Sequence, residues 1–322
     1  MNNIVCEKLK IQYPVLQGPM AWASDHKLSA AVSEAGGLGI MGIGFAPVEI
    51  FKKEICEIKE RTQKPFGCNL ITSVPYSKQL LEVILKEHVP AVELEGNMED
   101  TRKLADYTHE MKQENIIVIG KAGSVNEAKI LENAGVDMVS VKGADGGGHI
   151  YGFTGTFSLI PQVVAAVSVP VINSSGVVDH RGVAASFMLG AVGVEVGSRF
   201  LLAHECNIHP NYKRAVINGK EGDTVLTGTS VNDAVRSLKN QLSEKVLRIE
   251  KLYDGEAAIT EIQKVCSGSL RKAAQQGDTD IEGSVVVGQN VGLLNKEESV
   301  KEIMGSLTKN IEEVIRFSNL IS

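Results

Sequence analysis

Short runs of apolar and β-branched residues alternate along the chain with longer stretches in which every third or fourth position is apolar. The runs Val15 to Met20, Leu38 to Gly42, Phe66 to Ile71, Ala91 to Glu95, Ile116 to Ala122, Met138 to Gly143, Pro170 to Gly176 and Gly193 to Phe200 predict eight strands. Their starts recur about every 25 residues, the length of one strand, one helix and two short loops. The stretches between them, Leu28 to Ala35, Val48 to Arg61, Lys78 to Glu87, Thr101 to Gln113, Val125 to Ala134, Leu159 to Val167 and His180 to Leu189, predict helices. Several end in a glycine pair such as Ala35-Gly36, Ala134-Gly135 or Leu189-Gly190, where glycine accepts the left-handed conformation that closes a helix.

Eight strand and helix units predict an α/β fold, a (β/α)8 TIM barrel. The competing architecture is an open doubly wound sheet, for which Gly37-Leu38-Gly39-Ile40-Met41-Gly42 matches G-x-G-x-x-G. Those glycines follow a helix and lead into a strand, the reverse of the order that a dinucleotide fingerprint requires. With 322 residues against roughly 250 for one such barrel, the chain has length to spare. The surplus lies after the eighth strand. The expected division is a barrel of residues 1–200 and 296–322 with a smaller cap, 201–295, inserted after strand eight. Helices are expected near Val231 to Lys251 and Glu256 to Ala274 of the cap, and Lys296 to Ser322 as one closing helix.

Composition narrows the function classes. Hydrophobic residues make up 43% and charged residues 22%, the balance of a globular protein with a substantial core. A formal net charge of -6 argues against a nucleic-acid partner. No apolar h-region opens the chain and no run is long enough to span a bilayer, so a cytoplasmic location away from membranes is expected. The five cysteines are scattered without C-x-x-C spacing, and no histidine pair has ligand spacing, so neither disulfides nor a metal is expected.

Active sites of these barrels lie at the carboxyl ends of the strands. There the sequence places Gln17-Gly18-Pro19-Met20, Asn69, Lys142-Gly143, Asn173-Ser174-Ser175-Gly176 and Gly197-Ser198-Arg199. Ser175, Gly176, Gly197 and Ser198 are small enough for their backbone N–H groups to approach a phosphate. Gln17 and Asn69 each carry a donor and an acceptor on one amide, suited to the edge of a heteroaromatic ring. Between strand six and its helix, Gly146, Gly147 and Gly148 precede His149, a side chain able to exchange protons near neutral pH.

Taken together these residues resemble the FMN-dependent barrel proteins that include the flavin-type enoyl-acyl-carrier-protein reductase and nitronate monooxygenase (2-nitropropane dioxygenase). The likeness rests on Tyr13 to Gly18 with Met20-Ala21-Trp22, Ala35 to Gly39, Lys64 to Gly67 with Asn69, Gly147-Gly148-His149, Phe187 to Ala191 and Val196 to Phe200. In the cap, Ala234 to Asn240 and Gly283-Ser284-Val285 with Gly288-Gln289 look most similar to the enoyl reductases. The resemblance implies FMN held by Gln17, Gly18, Pro19, Met20, Asn69, Lys142, Gly147, Gly148, Ser175, Gly176, Gly197, Ser198 and Gln289. It also implies NADH or NADPH as reductant and His149 as the catalytic residue. Pro19, Glu95-Gly96-Asn97, Tyr151, Asn173-Ser174-Ser175 and His180 depart from the reductase pattern and bear on the substrate.

The first expectation is therefore enoyl-acyl-carrier-protein reduction in fatty acid biosynthesis. Lys213, Arg214, Lys220, Arg236, Lys239, Lys245 and Arg248 are candidates to meet an acidic carrier protein, or form a solvated basic face. Nitronate oxidation is the alternative, NADH:quinone reduction a third reading suggested by Gln275 to Asp280, and a non-catalytic phosphate-binding barrel a fourth. A homodimer is compatible with all of them.

Overall fold

The structure, a computed structural model, describes residues 2–321. Eight parallel strands close into a barrel: β1 (Val15–Gln17), β2 (Leu38–Met41), β3 (Phe66–Ile71), β4 (Ala91–Glu95), β5 (Ile117–Ala122), β6 (Met138–Val141), β7 (Val171–Asn173) and β8 (Gly193–Val196). Each pairs with its sequence neighbour, and β1 closes the ring on β8 with Leu16 opposite Glu195. This is a (β/α)8 barrel. Leu38 to Met41 forms a strand, so the glycines around it do not open a helix as a doubly wound sheet would need.

Side chains alternate between the two faces of each strand, and in a barrel one face is the lumen. Leu16, Leu38, Ile40, Ala91, Ile119, Met138 and Ile172 fill the lower lumen, and Val5, Leu9 and Ile11 of the first helix and its loop pack among them and plug the base. Outward residues such as Val92, Leu94, Val118 and Val139 meet the helical shell. The helices start on side-chain caps: Asp25 accepts from Lys27 N–H and Leu28 N–H, and Asp179 from Arg181 N–H. They stop where Gly36, Gly135 and Gly190 take φ near +90°.

Three expected helices are corrected, the first being that from Glu256 to Ala274, which ends at Cys266 and is broken where Gly268 takes φ +72° before a short helix begins at Ser269. The stretch from Val231 to Lys251 is not continuous: β10 (Val235–Leu238) pairs antiparallel with β9 (Thr224–Thr227), and only Gln241–Leu252 is helical. Asn240 and Ser243 cap each other there and stop the helix from extending backwards. The other edge of β10 pairs with Gly148–His149, so the glycine-rich loop of the barrel and the segment after β8 share one small sheet. The closing segment is two helices, Val300–Leu307 and Ile311–Ile321, interrupted at Asn310, whose left-handed φ of 57° a continuous helix cannot accommodate. Ser322 lies outside the described residues. Among the described residues no helix is long and apolar enough to cross a membrane.

Candidate active site

A cavity of about 450 Å³ opens at the carboxyl ends of the strands and continues beneath the segment that follows β8. Gly18, Pro19, Met20, Asn69, Lys142, Gly147, Gly148, His149, Ser175, Gly176, Gly197 and Ser198 all line it, brought from five strand ends. Two expected residues stand outside. Gln17 is fully buried below the wall, where its amide nitrogen donates to Ser24 Oγ at 2.7 Å and Ile40 O at 3.2 Å and its oxygen accepts from Ser29 Oγ at 3.3 Å. Gln289 is exposed, although its neighbours Gly288 and Asn290 line the cavity.

The ends of β7 and β8 make a cradle that a phosphate can enter. Gly176 takes φ +72°, and a Cβ at Gly197 would meet nothing closer than Met20 Sδ at 3.6 Å, so the space over this glycine is open. The N–H groups of Gly176, Gly197 and Ser198 have no acceptor among the described residues, whereas Ser175 N–H donates to Asn173 Oδ1 at 3.1 Å. Free N–H groups around an open glycine fit the anionic end of a mononucleotide. On that observation the residues present fit FMN.

Asn69 stands at the opposite side. Its oxygen accepts from Gly44 N–H at 2.6 Å and its nitrogen donates to Glu95 Oε1 at 3.0 Å, which fixes the orientation of the amide. His149 is exposed on the edge of the small sheet, with Nε2 3.4 Å from Asp233 Oδ1. Ile150 N–H donates to Ala234 O at 2.8 Å, so the loop that carries the imidazole is anchored on both sides.

The sequence reading missed the floor of the site. Glu93 of β4, Lys121 of β5 and Glu195 of β8 point into the lumen one layer above the apolar plug, with side chains at most 5% exposed. Lys121 Nζ donates to Glu195, lies 3.1 Å from Glu93 Oε1 and donates to Ser174 Oγ at 2.9 Å. Glu195 also accepts from Ser140 and Ser174 hydroxyls. Burial and the neighbouring Glu195 charge push Glu93 well above the ordinary carboxylate range. At Glu195 burial is outweighed by Lys121, a hydrogen bond with Glu93 and the Ser140 hydroxyl, which hold it below the ordinary carboxylate range. The available signal was alternation: Ala91-Glu93-Glu95, Ile119-Lys121 and Gly193-Glu195-Gly197 each put polar residues at every second, lumen-facing position.

Two members of the expected basic face are buried. Lys213 donates to Ala203 O at 2.7 Å and pairs with Glu297 at 3.0 Å, while Arg236 donates to Ala144 O at 2.9 Å and Thr224 Oγ1 at 3.1 Å. Arg214, Lys220, Lys239, Lys245 and Arg248 remain exposed. Among the described residues no cluster of histidine, cysteine and acidic side chains is arranged to hold a metal.

Comparison with known proteins gives this geometry a context. A family model described as nitronate monooxygenase matches residues 2–104 and 71–310. Probable nitronate monooxygenases of Staphylococcus aureus are 30% identical, over 98% of this chain and 99% of theirs. Among solved structures, FabK from Thermotoga maritima is 35% identical with a TM-score of 0.90, covering 100% of both chains. A nitroalkane oxidase from Streptomyces ansochromogenes, 24% identical over 97% of this chain and 98% of its own, shares the fold with a TM-score of 0.80.

Proposed function

The chain belongs to the nitronate monooxygenase family and is an FMN-dependent oxidoreductase, and on that premise we propose that it is an NAD(P)H-dependent reductase of enoyl thioesters, of the acyl-carrier-protein type. The observation that carries this reading is the shape of the cavity. Beyond the barrel mouth it runs on between Leu242 and Val246 of one helix, Ile262 of the next, and Leu270 and Ala274. A small nitronate has no use for such an apolar extension; an acyl chain fills it and gains from the burial.

In this reading residues 201–295 act as the substrate cap of a barrel made of 1–200 and 296–322. Gly176, Gly197 and Ser198 hold the FMN phosphate through their N–H groups, with Ser175 beside them. Gly18, Pro19, Met20, Asn69, Lys142, Gly147 and Gly148 surround the ring. Bound FMN supplies hydride transfer between NAD(P)H and the β carbon of the enoyl group. His149, facing the cavity from the loop shared with the cap, orients the thioester carbonyl or helps a proton reach the α carbon. The exposed Arg214, Lys220, Lys239, Lys245 and Arg248 offer an acidic carrier protein a complementary face.

Nitronate oxidation is the second reading, favoured by the S. aureus relatives and by Lys142, an ammonium suited to a small anion. Yellow protein should be assayed for NADH and NADPH oxidation with crotonyl thioester, with quinone and with oxygen alone, beside oxygen uptake with a nitronate. Thioester-dependent oxidation supports the first reading. Oxygen uptake with nitronate and none with thioester replaces it by the second.

A further inference from the structure

The floor of the cavity, resting on the apolar plug, is formed by two carboxyls and one ammonium, Glu93, Glu195 and Lys121. We propose that Glu93 is a positioning residue that carries a proton shared with Glu195, so that the cluster of Glu93, Lys121 and Glu195 is neutral and Lys142 faces the ligand without an ion-pair partner. The proposal rests on the reductase reading only for the identity of the ligand.

Charge counting comes first. With both acids ionised the cluster would hold a net negative charge, and a net charge removed from water is strongly disfavoured unless it is compensated. One proton removes the excess. Donor geometry then decides where that proton resides. Glu195 accepts from Lys121, Ser140 and Ser174, an arrangement that rewards the ionised form. Neither oxygen of Glu93 receives a hydrogen bond, although Lys121 Nζ stands at ion-pair distance, so Glu93 gains least from being ionised. Glu93 and Glu195 lie within side-chain hydrogen-bonding reach, so a protonated Glu93 has an acceptor in Glu195 and its orphaned oxygens are then explained.

The groups that face this proton come from every neighbouring strand: Glu95 on β4, Lys121 on β5, Ser140 and, just beyond the strand end, Lys142 on β6, Ser174 beyond β7 and Glu195 on β8. The three N–H donors of Lys121 go to Ser140 Oγ, Ser174 Oγ and Glu195. Lys142 Nζ has no hydrogen-bond partner among the described residues and lines the cavity, and Gly146 and Gly148 are folded closely against its side chain. With the floor neutral, Glu95 is the carboxylate whose charge still bears on Lys142, and it forms no ion pair with it among the described residues. An anion formed in the cavity, such as the enolate of a thioester, is then the natural partner of its charge.

Infrared difference spectra of the FMN-loaded enzyme against Glu93→Gln test the proton directly. The wild type at neutral pH should show a protonated-carboxyl stretch that the variant loses. Should the amide fail to fold, Glu93→Asp keeps an acid on a shorter arm, and its band must persist at a changed frequency. The second readout is the pKa of Lys142, followed by NMR of isotopically methylated lysines. Gln replaces a neutral acid by a neutral amide, so this pKa should not move. If Glu93 were ionised, its loss would lower the Lys142 pKa by about one unit or more. Absence of the band, or that shift, overturns the proposal. Neither readout involves turnover, so a failure of the reductase reading leaves the proton in place, and a missing proton leaves the reductase reading untouched.

Discussion

Tyr151 donates its hydroxyl to Glu95 Oε2 at 2.7 Å, tying the loop after β6 to the end of β4 across one side of the cavity. Glu95 in turn accepts from Asn69, so the chain Tyr151, Glu95, Asn69 fixes an amide that faces the ligand space. Both Tyr151 and Glu95 are positions at which the chain departs from the reductase pattern, and the structure joins them as a pair. Because Tyr151 is 41% exposed, its bond is worth only about 1 kcal/mol. Tyr151→Phe should therefore lower Tm by about 2 °C. Tyr151→Gly, which removes the wall itself, should lower KM for bulkier thioesters while KM for a short one stays put. Unchanged KM across a thioester series would show that the pair does not bound the substrate.

His149 is held by its backbone and exposed at its ring, an arrangement suited to chemistry on a ligand and poorly suited to supporting the fold. His149→Ala should keep FMN and its reduction by NADH but slow transfer to the organic substrate by roughly 10² or more, the usual scale for acid-base assistance. Stopped-flow measurement of the two half-reactions separates these effects. The neighbouring Asp233 is held below the ordinary carboxylate range by its hydrogen bond to His149. Such an exposed pair contributes about 1 kcal/mol or less, so Asp233→Asn should slow turnover no more than several-fold. A loss as large as that of His149→Ala would make the carboxylate an equal participant.

The alternation of strands and helices was legible because each element carries its own period, and glycine pairs mark where the helices end. The strand ends that line the cavity followed from the barrel alone. Alternation marks Lys121 and Glu195 as lumen-facing but not as partners: each stands singly inside an apolar run, and only the barrel's closure shows that they meet from strands 74 positions apart. Val235 to Leu238 is expected as helix but forms a hairpin strand with Thr224–Thr227, and its other edge takes Gly148 and His149 from a loop remote in sequence. Local pattern cannot report that second, distant edge.

Lys142 should set the alkaline limb of activity. Burial first and the Lys121 charge second bring it down to about 8 from its ordinary 10.5. Between those values the folded chain binds fewer protons than the unfolded one, so its contribution to stability rises with pH across this window. The ammonium itself is lost there, and turnover should fall as pH passes about 8. Lys142→Arg, charged at every accessible pH, should flatten that limb, and Lys142→Met should lower kcat at neutral pH while raising stability. A pH profile of kcat that is identical in wild type and the arginine variant would remove Lys142 from the reaction.

Gly197 tests the position of the phosphate with little disturbance to the protein. A methyl group at this position would lie 3.6 Å from Met20 Sδ, ordinary contact, and the residue has no positive φ that a side chain would strain. Gly197→Ala should therefore fold with the Tm of the apo wild type. If the N–H groups of Gly176, Gly197 and Ser198 hold the FMN phosphate, that same methyl intrudes on the closest approach of the anion, and FMN affinity should fall by about 10-fold or more, equivalent to about 1.4 kcal/mol. Gly176→Ala is the less informative variant, because φ of +72° and a Cβ only 2.8 Å from Asp145 Oδ2 would disturb the loop whether or not FMN binds there. Titration of apo protein with FMN, followed by flavin fluorescence, gives the answer. Full affinity in Gly197→Ala would place the phosphate elsewhere on the barrel rim.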